Sequence, residues 1–216
     1  MYQTVLFDLD GTLTDPGIGI TNSVAYALQK RGISVNDRSE LYKFIGPPLH
    51  DSFAAYYGFS DAECESAIAD YREYFRARGL YENTLYPDTV SLLRELKAAK
   101  KALILATSKP QEFAEIILKH FCLDGYFDFV AGATMDNTRN QKADVIAYAL
   151  HNCPNVQLSQ TVMVGDRKQD VLGAAQNGID CVGVLYGYGD RPELTAAGAT
   201  YLAQNISQLL SILIKE

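Results

Sequence analysis

Residues 4–12 read TVLFDLDGT, and this stretch decides the fold because an apolar run passes directly into two carboxylates and a turn. The run at 4–9 has the length of a strand that is buried on both faces. Side chains two positions apart on an extended segment share a face. Asp8 and Asp10 are therefore expected to point the same way, just beyond the carboxyl end of the first strand.

Two interpretations of this carboxylate pair involve no catalysis. A turn with Asx caps would place aspartates beside a glycine for structural reasons alone, and this alternative stays open for an isolated D-x-D-G pattern. A calcium-binding loop would need Gly and Glu at its sixth and twelfth positions. Leu13 and Gly19 stand there, so a calcium loop is excluded.

Similar apolar runs recur along the chain, at 102–106, 127–131, 161–164 and 181–185. Segments with apolar residues at helical spacing accompany them, at 88–99, 110–119, 142–151 and 169–177. The alternation of buried strands with helices predicts an α/β fold with a doubly wound, Rossmann-like parallel sheet. A last amphipathic segment, 205–215, is expected to form a helix that covers the sheet.

The interval after the first strand breaks this alternation, because residues 16–82 contain no convincing strand. They are predicted to form an inserted α-helical cap domain, with helices at 18–30, 37–44, 49–57 and 61–78 that are separated by glycine and proline. Residues 1–15 and 83–216 then form the α/β core. The many aromatic side chains of the cap are interpreted as its own hydrophobic core, with stacking on a nucleobase as the alternative.

The composition is that of a globular protein. Of its 216 residues 48% are hydrophobic and 21% are charged, which excludes disorder and a coiled coil. The net charge of -7 argues against a nucleic-acid partner. The four cysteines are far apart and are interpreted as buried free thiols. Neither a membrane span nor a signal sequence is recognisable, so no membrane partner and a cytoplasmic location are expected.

Two further sets of polar residues occupy positions near predicted strand ends. Thr107 and Ser108 follow the run at 102–106 and precede a helix with Pro110 at its first position, where a hydroxyl and free N–H groups can hold a phosphate oxygen. They could equally be N-cap residues. Lys142 begins a predicted helix, and by itself it is typical of a solvated charge.

The stretch 164–170 reads VGDRKQD and again ends an apolar run. Asp166 and Asp170 stand four residues apart at a helix start, where capping is an alternative to function. Asp8, Asp10 and Asp166 all fall past the carboxyl ends of presumed parallel strands, the edge at which open α/β sheets bind ligands. Carboxylates gathered there would repel one another unless a divalent cation joined them, and an all-oxygen site favours Mg²⁺.

These motifs in this order, Asp-x-Asp-Gly-Thr, Thr-Ser-Lys, a separate lysine and Gly-Asp-x-x-x-Asp, resemble the haloacid dehalogenase (HAD) superfamily of phosphohydrolases. The helical insert resembles the first cap class of that superfamily. The stretch YGYG at 186–189 and the tail at 198–210 resemble its phosphoglycolate phosphatase and 5′-nucleotidase branch. The resemblance implies a Mg²⁺-dependent phosphoric monoester hydrolase that acts on a small soluble phosphate ester, of the phosphoglycolate or nucleoside 5′-monophosphate type, through an aspartyl-phosphate intermediate.

The resemblance also implies roles for the motif residues. Asp8 would be the nucleophile, and Asp10 would be the acid toward the leaving alcohol and the base toward water. Mg²⁺ would be bound by Asp8, the main-chain carbonyl of Asp10 and Asp166, with Asp170 supporting it directly or through another group.

The implied substrate contacts lie in the core and in the cap. Thr107, the Ser108 amide and Lys142 would balance charge on the transferring phosphoryl group. In cap domains of this class a loop like the one at 44–50 faces the phosphoryl site, which implies substrate contacts for the neighbouring Lys43 and His50. Ser108 and Arg167 depart from the commonest family pattern at positions that touch the phosphate surroundings, so Arg167 is also predicted to contact substrate and both residues are expected to affect substrate preference.

Two rival functions remain open at this point. A phosphomutase similar to β-phosphoglucomutase would use Asp8 and Asp10 identically but return the phosphoryl group to a sugar. A non-enzymatic receiver domain for signalling also uses an acceptor Asp, a Thr and a Lys on a doubly wound sheet. Such a domain is much shorter and carries no large insert after its first strand. The oligomeric state is not readable from the sequence.

Overall fold

A computed structural model describes residues 1–136, 138–153 and 156–214. The chain separates into two compact units, which we call the core unit, Met1–Thr14 with Leu85–Glu216, and the cap unit, Asp15–Thr84. The sequence places the cap at 16–82. The assignment of catalysis to the core and of a capping role to the insert stays a prediction.

Eight strands occur among the described residues: β1 (Thr4–Phe7), β2 (Thr14–Asp15), β3 (Thr84–Leu85), β4 (Ala102–Pro110), β5 (Phe129–Ala133), β6 (Thr161–Gly165), β7 (Asp180–Val184) and β8 (Tyr201–Ala203). Six of them form one parallel sheet in the core unit, in the order β5-β4-β1-β6-β7-β8. β1 is central, since Thr4 lies beside Ala102 on one side and Thr161 on the other. The carboxyl ends of β1, β4 and β6 therefore meet at one edge of the sheet.

Nine α-helices occur in the described part of the chain: α1 (Gly17–Gln29), α2 (Leu49–Tyr57), α3 (Asp61–Tyr74), α4 (Thr89–Ala98), α5 (Gln111–His120), α6 (Lys142–Asn152), α7 (Lys168–Gln176), α8 (Arg191–Ala197) and α9 (Ile206–Ile214). In the core unit, α6, α7 and α8 pack on one face of the sheet around Leu6, Ile104 and Met163. The adjacent side chains of Val5 and Leu103 point to the other face and are fully buried. Helices flank the parallel sheet, so the predicted fold class is confirmed.

The structure corrects several predicted boundaries in the core unit. β4 continues to Pro110, past the predicted end at 106, because the extended main chain of Pro110 still lies beside Ala133 of β5. α5 consequently begins at Gln111, one residue later than predicted. The short strand β8 and the helix α8 had no predicted counterpart. The helix predicted at 205–215 is α9, and Lys215 lies outside the described residues.

The cap unit contains α1, α2, α3 and two irregular helical segments. The helix predicted at 37–44 is a 3-10 helix, Arg38–Phe44. The helix predicted at 61–78 ends as α3 at Tyr74 and continues in π-helical register over Phe75–Gly79. Phe44 and Phe53 are buried with ring centroids 5.0 Å apart, so these two aromatic side chains build the core of the cap itself.

The structure also tests two predictions made from composition, the burial of the cysteines and the absence of a membrane span. All four cysteines are free thiols, but Cys122 is exposed and Cys153 is half-buried, so the prediction of burial is right only for Cys64 and Cys181. Every helix among the described residues falls short of the length and apolar content that a membrane span requires.

Candidate active site

Three buried carboxylates meet at the carboxyl edge of the sheet. Asp8 follows β1, Asp166 follows β6, and Asp170 lies in the first turn of α7. Because β1 and β6 are adjacent parallel strands and Phe7 lies beside Val164, Asp8 and Asp166 leave the same edge of the sheet, one residue apart in register. One carboxylate oxygen from each of the three aspartates lies within 4.8 Å of the others. Asp166 and Asp170 are fully buried. The Asx turn alone does not account for this cluster, which we call the carboxylate cluster.

Lys142, the first residue of α6, lies inside the carboxylate cluster. Its Nζ lies 2.9 Å from Asp8 Oδ1 and 2.8 Å from Asp170 Oδ1, and it donates a hydrogen bond to the carbonyl oxygen of Ala106 at 3.1 Å. Burial lowers the pKa of Lys142, but the carboxylates of Asp170 and Asp8 outweigh burial and raise it. Lys142 is buried rather than solvated, so the interpretation as a surface charge is wrong.

The Asp10 carboxylate is not one of the three in the carboxylate cluster and forms an ion pair with a different lysine. Lys109 Nζ lies 2.6 Å from Asp10 Oδ2, and both side chains are buried. Asp10 Oδ1 is buried without a hydrogen-bond partner among the described residues. Burial raises the pKa of Asp10, and the Lys109 ammonium opposes that rise.

Lys109 is a residue of the site that sequence reasoning missed. It lies in the quoted Thr-Ser-Lys motif, but the predicted end of β4 at 106 left it outside the strand. In the structure β4 extends to Pro110 and includes both Thr107 and Lys109, although its register against β5 shifts between Thr107 and Pro110. A predicted strand of that length would have brought Lys109 to the edge of the sheet where Thr107 lies.

Thr107 and Ser108 also lie on β4 and do not cap a helix. Thr107 is buried and Ser108 is half-buried, while the residue that precedes α5 is Pro110. The Thr107 hydroxyl accepts a hydrogen bond from the main-chain N–H of Lys109 at 3.2 Å. The N-cap interpretation of this pair is therefore wrong, and the predicted phosphate contact stays a prediction.

Asp166 is held by main-chain and hydroxyl donors. The N–H of Tyr188 donates to Asp166 Oδ2 at 2.7 Å, and the Thr12 hydroxyl donates to Oδ1 at 3.4 Å. Burial, together with the charges of Asp170 and Asp8, raises the pKa of Asp166 well above its ordinary value. A buried carboxylate with so little cationic compensation indicates a place for a cation.

Asp170 has a structural and an electrostatic role at the same time. Its Oδ2 accepts a hydrogen bond from the main-chain N–H of Arg167 at 3.0 Å, which caps the start of α7, while Oδ1 faces Lys142. Burial raises the pKa of Asp170 to about 6, although Lys142 opposes the rise. The capping alternative is thus correct for one oxygen of Asp170 and leaves the other in the carboxylate cluster.

The sequence profile of the haloacid dehalogenase-like hydrolase family matches residues 5–184, which include the four aspartates and the two buried lysines of this site. The chain belongs to this family. The predicted superfamily is therefore confirmed. The carboxylate cluster lies where this haloacid dehalogenase-like hydrolase joins the strands of its parallel sheet to the helices that follow them.

Relatives and solved structures agree with this membership. The 5′-nucleotidase of Pseudomonas aeruginosa is 42% identical over 212 residues, which are 98% of this chain and 96% of that one. The tyrosine-protein kinase PtkA of Mycobacterium tuberculosis is 42% identical over 187 residues, 87% of this chain and 63% of that one. A crystal structure of a predicted phosphatase from Clostridium acetobutylicum superimposes with a TM-score of 0.97 at 45% identity and covers 99% of both chains. The predicted enzyme class, a phosphoric monoester hydrolase, is confirmed.

Arg167 of this hydrolase binds another side chain. Its Nε lies 2.9 Å from Glu193 Oε1 in α8, and the same carboxylate accepts a hydrogen bond from the N–H of Lys168 at 2.8 Å. Glu193 therefore ties the start of α7 to α8. The predicted contact of Arg167 with substrate stays a prediction.

Lys43 and His50 lie in the cap unit of the hydrolase. Lys43 lies in the last turn of the 3-10 helix and is exposed, and its Nζ lies 4.4 Å from the ring centre of Tyr56. His50 lies in α2, where its Nε2 is 3.4 Å from Asp61 Oδ1. Their predicted role toward substrate is untested by these contacts.

Glycines make the tight packing around Asp166 possible, and this packing yields a stability prediction. A Cβ at Gly187 would overlap the main-chain oxygen of Gly11 and the Asp166 side chain. Gly187→Ala is expected to lower the free energy of unfolding by roughly 1–3 kcal/mol through overpacking. Gly125→Ala is the matched control, because a Cβ at Gly125 meets open space. Urea denaturation of both variants tests this, and equal stability of the two would contradict the packing argument.

Proposed function

We propose that the chain is a Mg²⁺-dependent phosphatase that hydrolyses a small phosphomonoester, of the phosphoglycolate or nucleoside 5′-monophosphate type, through a phosphoryl group carried by Asp8. The observation that carries the proposal is the carboxylate cluster, in which Asp8 lies beside Lys142 and within 4.8 Å of Asp166 and Asp170. The names of the nucleotidase and phosphatase relatives support the substrate class.

The charges and ligand atoms of the site fit Mg²⁺. The four carboxylates of Asp8, Asp10, Asp166 and Asp170 face only the ammonium groups of Lys109 and Lys142 in the described ion pairs, which leaves two negative charges. The available ligands are all oxygen atoms, as Mg²⁺ prefers. Asp8, Asp166 and the Asp10 carbonyl would hold it, with Asp170 in support. When bound, Mg²⁺ would supply positive charge that offsets the phosphoryl oxygens.

Asp8 and Asp10 would divide the chemistry of two displacements. An oxygen of Asp8 forms a bond to phosphorus while the bond from phosphorus to the leaving oxygen breaks, and the leaving oxygen takes a proton from Asp10. Water then attacks phosphorus and gives a proton to Asp10, and the bond to Asp8 breaks to release inorganic phosphate.

The neighbouring side chains would bind and orient the phosphoryl group. Lys142 holds Asp8 in place through its ion pair and adds positive charge beside the reacting oxygen. The Thr107 hydroxyl and the Ser108 N–H would bind phosphoryl oxygens. Both residues lie on β4, the strand next to β1, which brings them to the same edge of the sheet as Asp8.

A screen with several phosphate esters tests the proposal. Release of inorganic phosphate is measured with Mg²⁺ on phosphoglycolate, nucleoside 5′-monophosphates, sugar phosphates and phosphotyrosine, with Asp8→Asn as the inactive control. We expect hydrolysis of at least one small ester. Isomerisation of a sugar phosphate without release of phosphate would favour the phosphomutase, and inertness toward every ester would contradict the proposal.

The receiver alternative is wrong, because the hydrolase family profile spans most of the chain, the insert included.

Lys43 and His50 of the cap unit supply a prediction about selectivity. If these residues select among leaving groups, Lys43→Ala or His50→Ala changes kcat/KM by different factors for different esters, roughly 10-fold between the most and the least affected. Thermal stability should hardly change, because Lys43 is exposed and the His50 side chain is partly exposed. A uniform change across the panel would show that selectivity lies elsewhere.

A further inference from the structure

We propose that Lys109 is a positioning residue that holds the Asp10 carboxylate so that only its Oδ1 atom exchanges a proton with the leaving group and the water. This inference rests on the proposed phosphatase function and assigns to the third residue of the Thr-Ser-Lys motif a task distinct from phosphate binding.

The first observation is the ion pair itself. Lys109 Nζ lies 2.6 Å from Asp10 Oδ2, and the side chains of the two residues are only 4% and 11% exposed. A short ion pair between two buried side chains restrains the orientation of the carboxylate, whereas a solvent-exposed pair would not. Lys142 contacts Asp8 and Asp170 instead, so the two buried lysines serve different carboxylates.

The second observation is the asymmetry of the Asp10 carboxylate. Oδ2 is occupied by Lys109, while Oδ1 is buried and has no hydrogen-bond partner among the described residues. An unpaired buried oxygen is costly, and it marks a place where a group from outside the chain can bind. Since the ammonium group occupies Oδ2, the proton that Asp10 exchanges must be carried on Oδ1.

The third observation concerns how the backbone places Lys109. β4 changes its register against β5 between Thr107 and Pro110, and Lys109 lies inside this irregular segment. Its N–H donates to the Thr107 hydroxyl at 3.2 Å. One short segment thus carries Thr107, which would bind the phosphoryl group, and the lysine that orients the proton donor.

The inference predicts a specific kinetic change for Lys109→Met. An alkyl ester needs a proton on its leaving oxygen, whereas dinitrophenyl phosphate does not, and kcat/KM reports the step in which the leaving group departs. With Asp10 unrestrained, kcat/KM for the best alkyl ester of the panel should fall roughly 100-fold, and that for dinitrophenyl phosphate no more than about 3-fold. Lys109→Arg, which keeps the charge, should restore part of the alkyl rate.

Two comparisons separate positioning from mere structural support. Lys101→Met is the matched control, since Lys101 is a buried lysine just before β4 that donates to the main-chain oxygen of Tyr2. It should lower the melting temperature but leave the ratio of alkyl to aryl rates unchanged. In an Asp10→Asn background, Lys109→Met should add no further selective loss, because the proton donor is already absent.

Equal losses on both esters would overturn the inference and make Lys109 a phosphate-binding residue, and so would a selective loss that persists in the Asp10→Asn background. If Lys109→Met does not fold, the same two rates are read from Lys109→Gln and Lys109→Arg. Failure of the proposed function would look different, because the wild-type protein would then hydrolyse neither ester.

Discussion

Asp8→Asn is expected to lower kcat by at least roughly 1,000-fold while the protein stays folded. The amide is nearly isosteric with the carboxylate but is neither an effective nucleophile nor an anion. The fold should survive, because Lys142 keeps its ion pair with Asp170 at 2.8 Å when the one with Asp8 is lost.

Asp180→Asn provides the matched control for this prediction. Asp180 is an exposed residue at the start of β7, and the substitution is the same carboxylate-to-amide change outside the carboxylate cluster. The turnover of the Asp180→Asn variant should equal that of the wild-type protein. Phosphate release and thermal melting are measured for both variants. Turnover of folded Asp8→Asn above about a hundredth of the wild-type rate would contradict the role of Asp8.

Removal of divalent cations is expected to abolish turnover, and Mg²⁺ is expected to restore it. The reason is the uncompensated charge of the carboxylate cluster, where burial together with Asp170 and Asp8 raises the pKa of Asp166. Ca²⁺ should inhibit, because its larger and looser coordination would displace Asp8. At a concentration of 100 times its dissociation constant, Mg²⁺ should also stabilise the fold by about 2.7 kcal/mol.

Asp166→Ala tests the same proposed metal site by removing one of its ligand side chains. The variant should lose turnover and should no longer gain thermal stability from Mg²⁺, since Asp166 is the carboxylate of the site with no described ammonium partner. The measurement is turnover and melting temperature against Mg²⁺ concentration. Undiminished activity after exhaustive chelation, or an Asp166→Ala protein with an unchanged Mg²⁺ response, would refute the proposed site.

The carboxylate cluster was predictable because strand ends can be recognised from short apolar runs. Asp8 and Asp166 each follow such a run, and parallel strands bring their carboxyl ends to one edge. The contact between Lys142 and Asp8 was not derivable from periodicity, because it depends on how α6 packs on the sheet. Resemblance to the family predicted Lys142 at the phosphoryl group, which stays a prediction, whereas its distance of 2.9 Å from Asp8 is a finding of the structure.

The features that escaped prediction depend on pairing between distant segments. The end of β4 at Pro110 is set by its pairing with Ala133, and this pairing brought Lys109 into the site. Arg167 looked available to substrate because its partner Glu193 lies in α8, a helix with no predicted counterpart. Local sequence carries no signal for either contact.

The stereochemical course at phosphorus tests the central claim, transfer of the phosphoryl group to Asp8, most directly. The measurement uses a phosphorothioate ester made chiral at phosphorus with two oxygen isotopes, carries out the hydrolysis in water of the third isotope, and determines the configuration of the inorganic thiophosphate released. Two displacements in sequence, first by Asp8 and then by water, each invert the configuration, so the account predicts net retention. Net inversion would show that water attacks the ester directly, and it would contradict a phosphoryl group carried by Asp8.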